Sequence, residues 1–126
     1  MSWQTILAVG SGGFMGAVSR VYLIGIVNRL FPHHLPLGTL GVNLLGSFII
    51  GLLFAYFMHQ EVSPHIKSFL TSGFLGALTT YSTFAIESYF LFNTNMTMAI
   101  LNVILNAVGT ILFATIGYKL VVYFLG

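Results

Sequence analysis

Charge is scarce in this chain of 126 residues. Only 5% of its positions are Asp, Glu, Lys or Arg, whereas an ordinary soluble domain has about 25%. Four Lys and Arg and two Asp and Glu leave a net charge of +2, which is too little positive charge for the phosphate contacts of a nucleic-acid-binding protein. The composition therefore excludes a soluble globular domain and a nucleic-acid partner.

Cysteine is absent altogether, so the chain has no disulfide, no thiolate metal site and no cysteine nucleophile. One glutamate lies in a loop and the other in a hydrophobic block, so they cannot serve as an acid/base pair. The four histidines fall in loops or at helix ends without carboxylates at metal-ligand spacing, and we interpret them as solvated. The sequence predicts no enzyme.

Apolar residues fill 57% of the chain, and the mean hydropathy is +0.98. Polar and proline-containing stretches divide the chain into four hydrophobic blocks, each near the roughly 20 residues of a membrane span. Because the blocks are apolar all round, they do not fit barrel strands. The first block lacks the basic n-region of a signal peptide and is expected to be retained. We predict an all-α membrane protein, a single domain over residues 1–126, with helices at about Thr5–Val27, Leu37–Met58, Ile66–Phe92 and Met96–Phe124.

The basic residues give almost no preference for one orientation in the membrane. With four spans, Lys67 and Lys119 lie on one side, and Arg29 lies on the other with Arg20 if it snorkels. Such a balance leaves little positive-inside bias. Two interpretations stay open: insertion both ways up, which permits an antiparallel dimer, or one orientation set by a small excess. Because four helices enclose little interior, we expect an oligomer.

The third block contains a run of hydroxyl residues beside glycines. Gly76 is followed by Thr79, Thr80, Tyr81, Ser82 and Thr83, a composition of low helical preference. Ser and Thr can satisfy backbone groups where a membrane helix breaks. We predict an interruption near Gly76–Thr80, whose carbonyl oxygens would suit a small cation. In the alternative, the hydroxyls bond to preceding carbonyls and only bend the helix.

Two other blocks carry polar stripes. Asn43 and Ser47 are four apart in the second helix, and Asn102, Asn106 and Thr110 repeat that spacing in the fourth. Amides and hydroxyls offer donors without charge, which suits an anion that must be held but not trapped. The alternative is that they only join helices, at about 0.6 kcal/mol per hydrogen bond.

An aromatic pair and two charges complete the set of candidates. Tyr81 and Phe84 share a helical face, and the electropositive edge of an aromatic ring attracts an anion; packing is the alternative role. Arg20 either snorkels to the interface or draws anions into a vestibule. Glu87 is either a proton or ion relay or a paired charge near the headgroups.

Three stretches, GGFMGAVSR, GTLGVNLLGSF and GFLGALTTYSTFAIE, resemble in order and separation the signature stretches of the Fluc fluoride channels, also called CrcB proteins. The resemblance implies four transmembrane helices with a broken third helix, assembled as an antiparallel, dual-topology homodimer in the bacterial cytoplasmic membrane. It also implies two pores, through which fluoride leaves the cell passively. Composition alone does not distinguish fluoride from chloride.

The resemblance also implies roles for individual residues. The side chains placed along the fluoride pore are Asn43, Tyr81, Ser82, Thr83, Phe84, Asn106 and Thr110. Further pore or vestibule candidates are Arg20, Ser47, Glu87 and Asn102. A structural sodium ion at the dimer axis would be held by the backbone carbonyls of Gly76 and Thr79. Tyr81 departs from the family pattern, in which the first aromatic is typically Phe.

Two other functions stay open. A small proton-coupled multidrug exporter also has four helices and often dual topology, but such exporters resemble one another in having a glutamate in the first helix, where this chain has Arg20 and no acid. A structural membrane subunit without a transport role is the third candidate, and the polar stripes argue against it.

Overall fold

The chain folds entirely into helices, as a computed structural model of all 126 residues describes it. The α-helices are α1 (Trp3–Leu30), α2 (Leu37–His59), α3 (Pro64–Ser68), α4 (Gly76–Leu78), α5 (Tyr81–Thr94) and α6 (Met96–Leu125), and a π-helical segment, Phe69–Leu75, joins α3 to α4. Helices α1, α2 and α6 are long and apolar enough to cross a membrane. The all-helical membrane class is therefore confirmed, and the predicted ends of these three helices lie within three residues of the observed ends.

Side chains cap the N-termini of α1 and α6. The Ser2 hydroxyl accepts from the Thr5 backbone N–H at 3.2 Å, and the Asn95 side chain accepts from the Met98 N–H at 3.2 Å. Each cap satisfies an N–H group that has no partner within the first turn. Asn95 is the single residue between α5 and α6, so these two helices meet at a tight reversal.

The stretch predicted as one interrupted helix, Ile66–Phe92, is built from several short elements between Pro64 and Thr94. The backbone is extended at Thr79 (φ −84°, ψ 157°) and at Thr80 (φ −146°, ψ 117°). The π-helical segment before them was not predicted. None of these elements is among the helices long enough to cross a membrane, so a count of four spans requires Pro64–Thr94 to cross as one discontinuous segment.

Glycines set the closest helix contacts. A Cβ at Gly16 of α1 would fall onto the Phe74 carbonyl oxygen of the π-helical segment, and a Cβ at Gly51 of α2 would fall onto the Ala114 carbonyl oxygen of α6. Gly117 faces the backbone of α2 in the same way. Small residues let helix backbones approach closely in membranes, so α1 packs on the π-helical segment and α2 packs on α6.

The outer surface is apolar. Only 21 of the 126 residues are buried, and large side chains such as Phe14, Val21 and Phe124 are mostly exposed. An apolar surface of this extent is a contact surface for lipid or for another protein. The buried set, in contrast, includes six polar residues, among them Asn43, Asn102 and Asn106.

Candidate functional site

Asn43 holds the extended backbone between α4 and α5. Its Nδ2 donates to the Thr80 carbonyl oxygen at 3.1 Å, and its Oδ1 accepts from the Thr80 N–H at 2.8 Å. Both residues are buried. One side-chain amide thus satisfies two backbone groups that a continuous helix would have paired internally, where an unpaired group would cost about 1–3 kcal/mol.

A chain of buried hydrogen bonds continues from Asn43 across α6 to α5. Asn43 Nδ2 also donates to Asn106 Oδ1 at 3.0 Å, and Asn106 Nδ2 donates to Asn102 Oδ1 at 3.1 Å and to the Asn102 carbonyl at 2.9 Å. Asn102 Nδ2 then donates to the Ser88 hydroxyl at 2.9 Å. The three asparagines therefore link α2, α5 and α6 through buried hydrogen bonds between apolar helices.

A cavity of about 430 Å³ opens beside this amide chain. The predicted site residues that line it are Asn43, Ser47, Gly76, Thr79, Tyr81, Phe84, Asn106 and Thr110. The rings of Tyr81 and Phe84 meet edge to face, with centroids 5.5 Å apart and an interplanar angle of 74°. The structure therefore brings one face of α2, the break, the aromatic pair and one face of α6 to a single cavity.

Most hydroxyls in the cavity are already hydrogen-bonded. Thr71, Thr79 and Thr110 donate to the carbonyls of Lys67, Leu75 and Asn106, each four residues earlier, at 2.6–3.0 Å. Within the run from Thr79 to Thr83, only Thr79 back-bonds in this way, and the helix is interrupted there as well as back-bonded. The two amide hydrogens of Asn43 are likewise used within the chain. The Ser47 hydroxyl and the aromatic rings of Tyr81 and Phe84 take no part in these hydrogen bonds, and all three residues line the cavity.

The break also frees backbone carbonyls. In a continuous helix the Thr80 N–H would bond to the Gly76 carbonyl, and the Thr83 N–H would bond to the Thr79 carbonyl. Instead Thr80 N donates to Asn43 Oδ1, and Thr83 N donates to the Thr80 hydroxyl. The carbonyl oxygens of Gly76 and Thr79 have therefore lost their helical donors, and both residues line the cavity.

The other predicted residues lie outside the cavity lining. Thr83 is joined to it through a hydrogen bond from the Thr80 hydroxyl, whereas Ser82 is exposed and has no such link. Asn102 is fully buried within the amide chain. Arg20 Nε and Glu87 Oε1 are buried without a hydrogen-bonding partner.

Three polar residues of this region were missing from the predicted site: Thr39, Thr80 and Ser88. Thr39 precedes Asn43 by four residues, so extending the α2 stripe backward by one turn would have found it. Its hydroxyl lies beside the Glu87 carboxylate but is buried without a hydrogen-bonding partner of proper geometry. Ser88 follows Phe84 by four residues on α5, and only its contact with Asn102 reveals its place.

Comparison with known proteins identifies the family. The profile of the family described as "CrcB-like protein, Camphor Resistance (CrcB)" matches residues 7–118. A protein named fluoride-specific ion channel FluC from Sulfurimonas denitrificans is 59% identical over 123 residues, which is 96% of this chain and 95% of that protein. Proteins of the same name from Nautilia profundicola and Campylobacter jejuni are 46% and 49% identical over 121 and 116 residues; these matches cover 94% and 91% of this chain and 94% and 95% of the respective proteins. The chain therefore belongs to the CrcB family.

Proposed function

We propose that this protein is a fluoride-selective channel that lets fluoride leave the cell passively across the bacterial cytoplasmic membrane. The observation that carries the proposal is that the amide-clamped break, Ser47 and the aromatic pair of Tyr81 and Phe84 line one cavity. The relatives named fluoride-specific ion channel FluC support the choice of ion.

The site suits a small anion because it offers positive electrostatic potential without fixed positive charge. No Lys or Arg lines the cavity. Hydroxyl hydrogens and ring edges attract an anion that has lost part of its water, and weak attraction permits release. Asn43 has a positioning role because its hydrogens hold the break, which in turn sets where α5 begins.

The site is incomplete in a single copy of the chain. Tyr81 is 81% exposed although it lines the cavity, so nothing in one protomer shields this side from lipid. A second copy that packs here would close the cavity. The balanced cations, Lys67 and Lys119 on one side and Arg20 and Arg29 on the other, allow that copy to be inverted. This supports an antiparallel, dual-topology homodimer with four spans per chain, in which Pro64–Thr94 is the broken third span.

A structural sodium ion fits the break. The Gly76 and Thr79 carbonyls lack their helical donors, both residues line the cavity, and unwound backbone carbonyls are ligands for sodium in membrane proteins. These two residues, together with their counterparts in a second copy, would hold the ion at the dimer axis. A sodium ion held there would supply positive charge beside these carbonyl oxygens.

The buried partnerless atoms mark the pathway's end near the start of α2. Glu87 Oε1 and Thr39 Oγ1 lie side by side without a proper hydrogen bond, and a buried polar group without a partner is costly. Water or a passing ion would satisfy the Thr39 hydroxyl. Arg20, also partnerless at Nε, would draw anions toward this end. We assign Ser82 and Thr83 to the fluoride pathway beside the aromatic pair.

A multidrug exporter is disfavoured by the same observations. Proton-coupled export needs an acid that titrates at the substrate site, but no Asp or Glu lines the cavity and α1 has none. In one chain the cavity of about 430 Å³ is open on one side and would hold a drug. A second copy that covers this side would leave only a narrow route, suited to a small ion.

Reconstitution into vesicles tests the function. Vesicles loaded with fluoride or chloride salts are diluted, and efflux is followed with an ion electrode while a dye reports internal pH. We expect electrogenic fluoride efflux, far slower chloride efflux and no obligate proton movement. Proton-coupled dye export without fluoride flux would support the exporter. Silence in both assays, from protein that remains dimeric in detergent, would support the structural subunit.

Labelling tests the orientation directly, because the chain has no cysteine of its own. A single cysteine at Ser2 or at Gly126 is reacted with a membrane-impermeant maleimide in intact bacterial spheroplasts, in which the protein keeps the orientation of its insertion. Dual topology predicts that about half of each variant reacts before the membrane is opened and the rest afterwards. Complete reaction, or complete protection, would contradict it.

A further inference from the structure

A second cavity continues the groove between α2 and α6. It measures about 370 Å³ and is lined by Ile50, Gly51 and Phe54 of α2 and by Ala114, Thr115, Tyr118 and Lys119 of α6. Ile50 lines both cavities. On α6, Thr110 of the first cavity and Ala114 of the second are four residues apart, which is about 6 Å along the helix axis. The two cavities are therefore successive compartments of one groove along the same pair of helices.

The second compartment is apolar along its length and cationic at its far end. The backbones of α2 and α6 are in contact at Gly51, which lines this compartment, because a Cβ there would fall onto the Ala114 carbonyl oxygen. The Thr115 hydroxyl donates to the Ile111 carbonyl at 2.8 Å and is not free. Lys119 is the only Lys, Arg, Asp or Glu on either helix. It lies six residues, or about 9 Å, before the end of α6, close enough to the interface for its ammonium group to reach water.

We propose that this second compartment is the mouth of the fluoride route at the end of α2 and α6, and that the Lys119 ammonium group gathers the anion there. The inference rests on the proposed function. A single cation in a low-dielectric groove raises the local anion concentration and so the rate of entry. Lys119 lies away from both the aromatic pair and the break. Loss of its charge would therefore change the rate of fluoride efflux and leave the fluoride-to-chloride selectivity unchanged.

Lys67 provides a matched control. It is predicted to lie on the same side of the membrane as Lys119 and carries the same charge, but its Nζ lies 5.4 Å from the centroid of the Phe57 ring, in a separate recess with residues 57–64. Removing its charge changes the surface potential of this side without changing the groove. A difference in efflux between Lys119→Gln and Lys67→Gln therefore measures the effect of a charge within the groove.

The experiment compares Lys119→Gln, Lys119→Arg and Lys67→Gln with the unsubstituted protein in vesicles of neutral lipid. Fluoride efflux is measured at about 10 mM and about 300 mM ionic strength, because salt screens exposed charges beyond about 10 Å at 0.1 M. We expect Lys119→Gln to slow efflux about 3- to 10-fold at low salt and to approach the unsubstituted rate at high salt. Lys119→Arg and Lys67→Gln should behave like the unsubstituted protein, and the fluoride-to-chloride ratio should not change.

Several outcomes would overturn the inference. The inference fails if Lys119→Gln matches the unsubstituted rate at low salt, if it slows efflux equally at both salt concentrations, or if Lys67→Gln slows efflux as much. If Lys119→Gln slows efflux only in vesicles that contain phosphatidylglycerol, Lys119 contacts an anionic lipid and does not gather fluoride at the mouth of the route. If the unsubstituted protein carries no fluoride, the proposed function fails, and this inference fails with it. Efflux from the unsubstituted protein with no effect at Lys119 overturns the inference alone.

Discussion

Asn43 and Thr80 exchange two hydrogen bonds across 37 positions of sequence, so that a side-chain amide on α2 takes the place of helical partners at the start of α5. The same amide reaches Asn106 on α6. One residue thus ties together three elements of the cavity. Its loss would disturb the position of the break and, through it, the aromatic pair.

Asn43→Asp should abolish most fluoride efflux and lower thermal stability. A carboxylate keeps the acceptor for the Thr80 N–H but cannot donate to the Thr80 carbonyl or to Asn106, at a cost of about 1–3 kcal/mol for the groups left unpaired. Efflux and the midpoint of thermal unfolding in detergent are the measurements. Asn93→Ala is the control, because exposed Asn93 bonds only to the Tyr89 carbonyl of its own helix. Equal effects of both changes would remove Asn43 from its clamping role.

Phe84→Ile should strongly reduce fluoride efflux while the protein still assembles. The substitution keeps an apolar side chain but removes the electropositive ring edge in the cavity. Phe90→Ile is matched to it in chemistry and helix, since Phe90 is 59% exposed and does not line the cavity. The electrode assay and size-exclusion chromatography check both variants. Unchanged efflux in Phe84→Ile would place this ring outside the pathway.

Tyr81→Phe should leave fluoride efflux within about twofold of the unsubstituted rate, because the ring edge remains and only the hydroxyl is lost. Tyr81→Leu should reduce efflux as Phe84→Ile does. Rates from matched protein-to-lipid ratios give the comparison. A large loss in Tyr81→Phe would instead assign the ion contact to the hydroxyl, which the family's usual phenylalanine lacks.

Gly117→Ala should destabilise the fold by about 1–3 kcal/mol, since the added methyl group would fall onto the Phe48 carbonyl oxygen and force α2 and α6 apart. Gly25→Ala meets nothing within 4 Å and should be neutral or slightly stabilising, because alanine is the better helix former. Thermal unfolding in detergent compares the two variants. The same loss in both would show that the α2–α6 contact is looser than described.

Removal of sodium should weaken the assembled protein. If the Gly76 and Thr79 carbonyls hold the ion, sodium at 100 times its dissociation constant would stabilise the bound state by about 2.7 kcal/mol. Thermal unfolding is measured in sodium chloride and in N-methylglucamine chloride at equal ionic strength. A midpoint that does not depend on sodium would contradict the site. Because the proposed ligands are backbone oxygens, Thr79→Ser should retain the sodium dependence.

Much of the architecture follows from local sequence. Long apolar blocks between polar turns specify α1, α2 and α6, and caps such as Ser2 and Asn95 fix where helices begin. Spacing of four placed Asn102, Asn106 and Thr110 on one face of α6. The run from Thr79 to Thr83 indicated where helical backbone would fail, and extended dihedral angles occur at Thr79 and Thr80.

Only the tertiary structure decided which polar groups meet. Ser88 bonds to Asn102 and Asn43 bonds to Thr80 because each helix has one rotation about its axis, fixed where glycines such as Gly16, Gly51 and Gly117 allow backbone contact. A four-residue spacing of polar residues in the sequence predicts neither that rotation nor the π-helical segment at Phe69–Leu75. Local composition determines which segments can cross a membrane, whereas the packing of those segments determines whether an amide serves as a clamp or as a ligand.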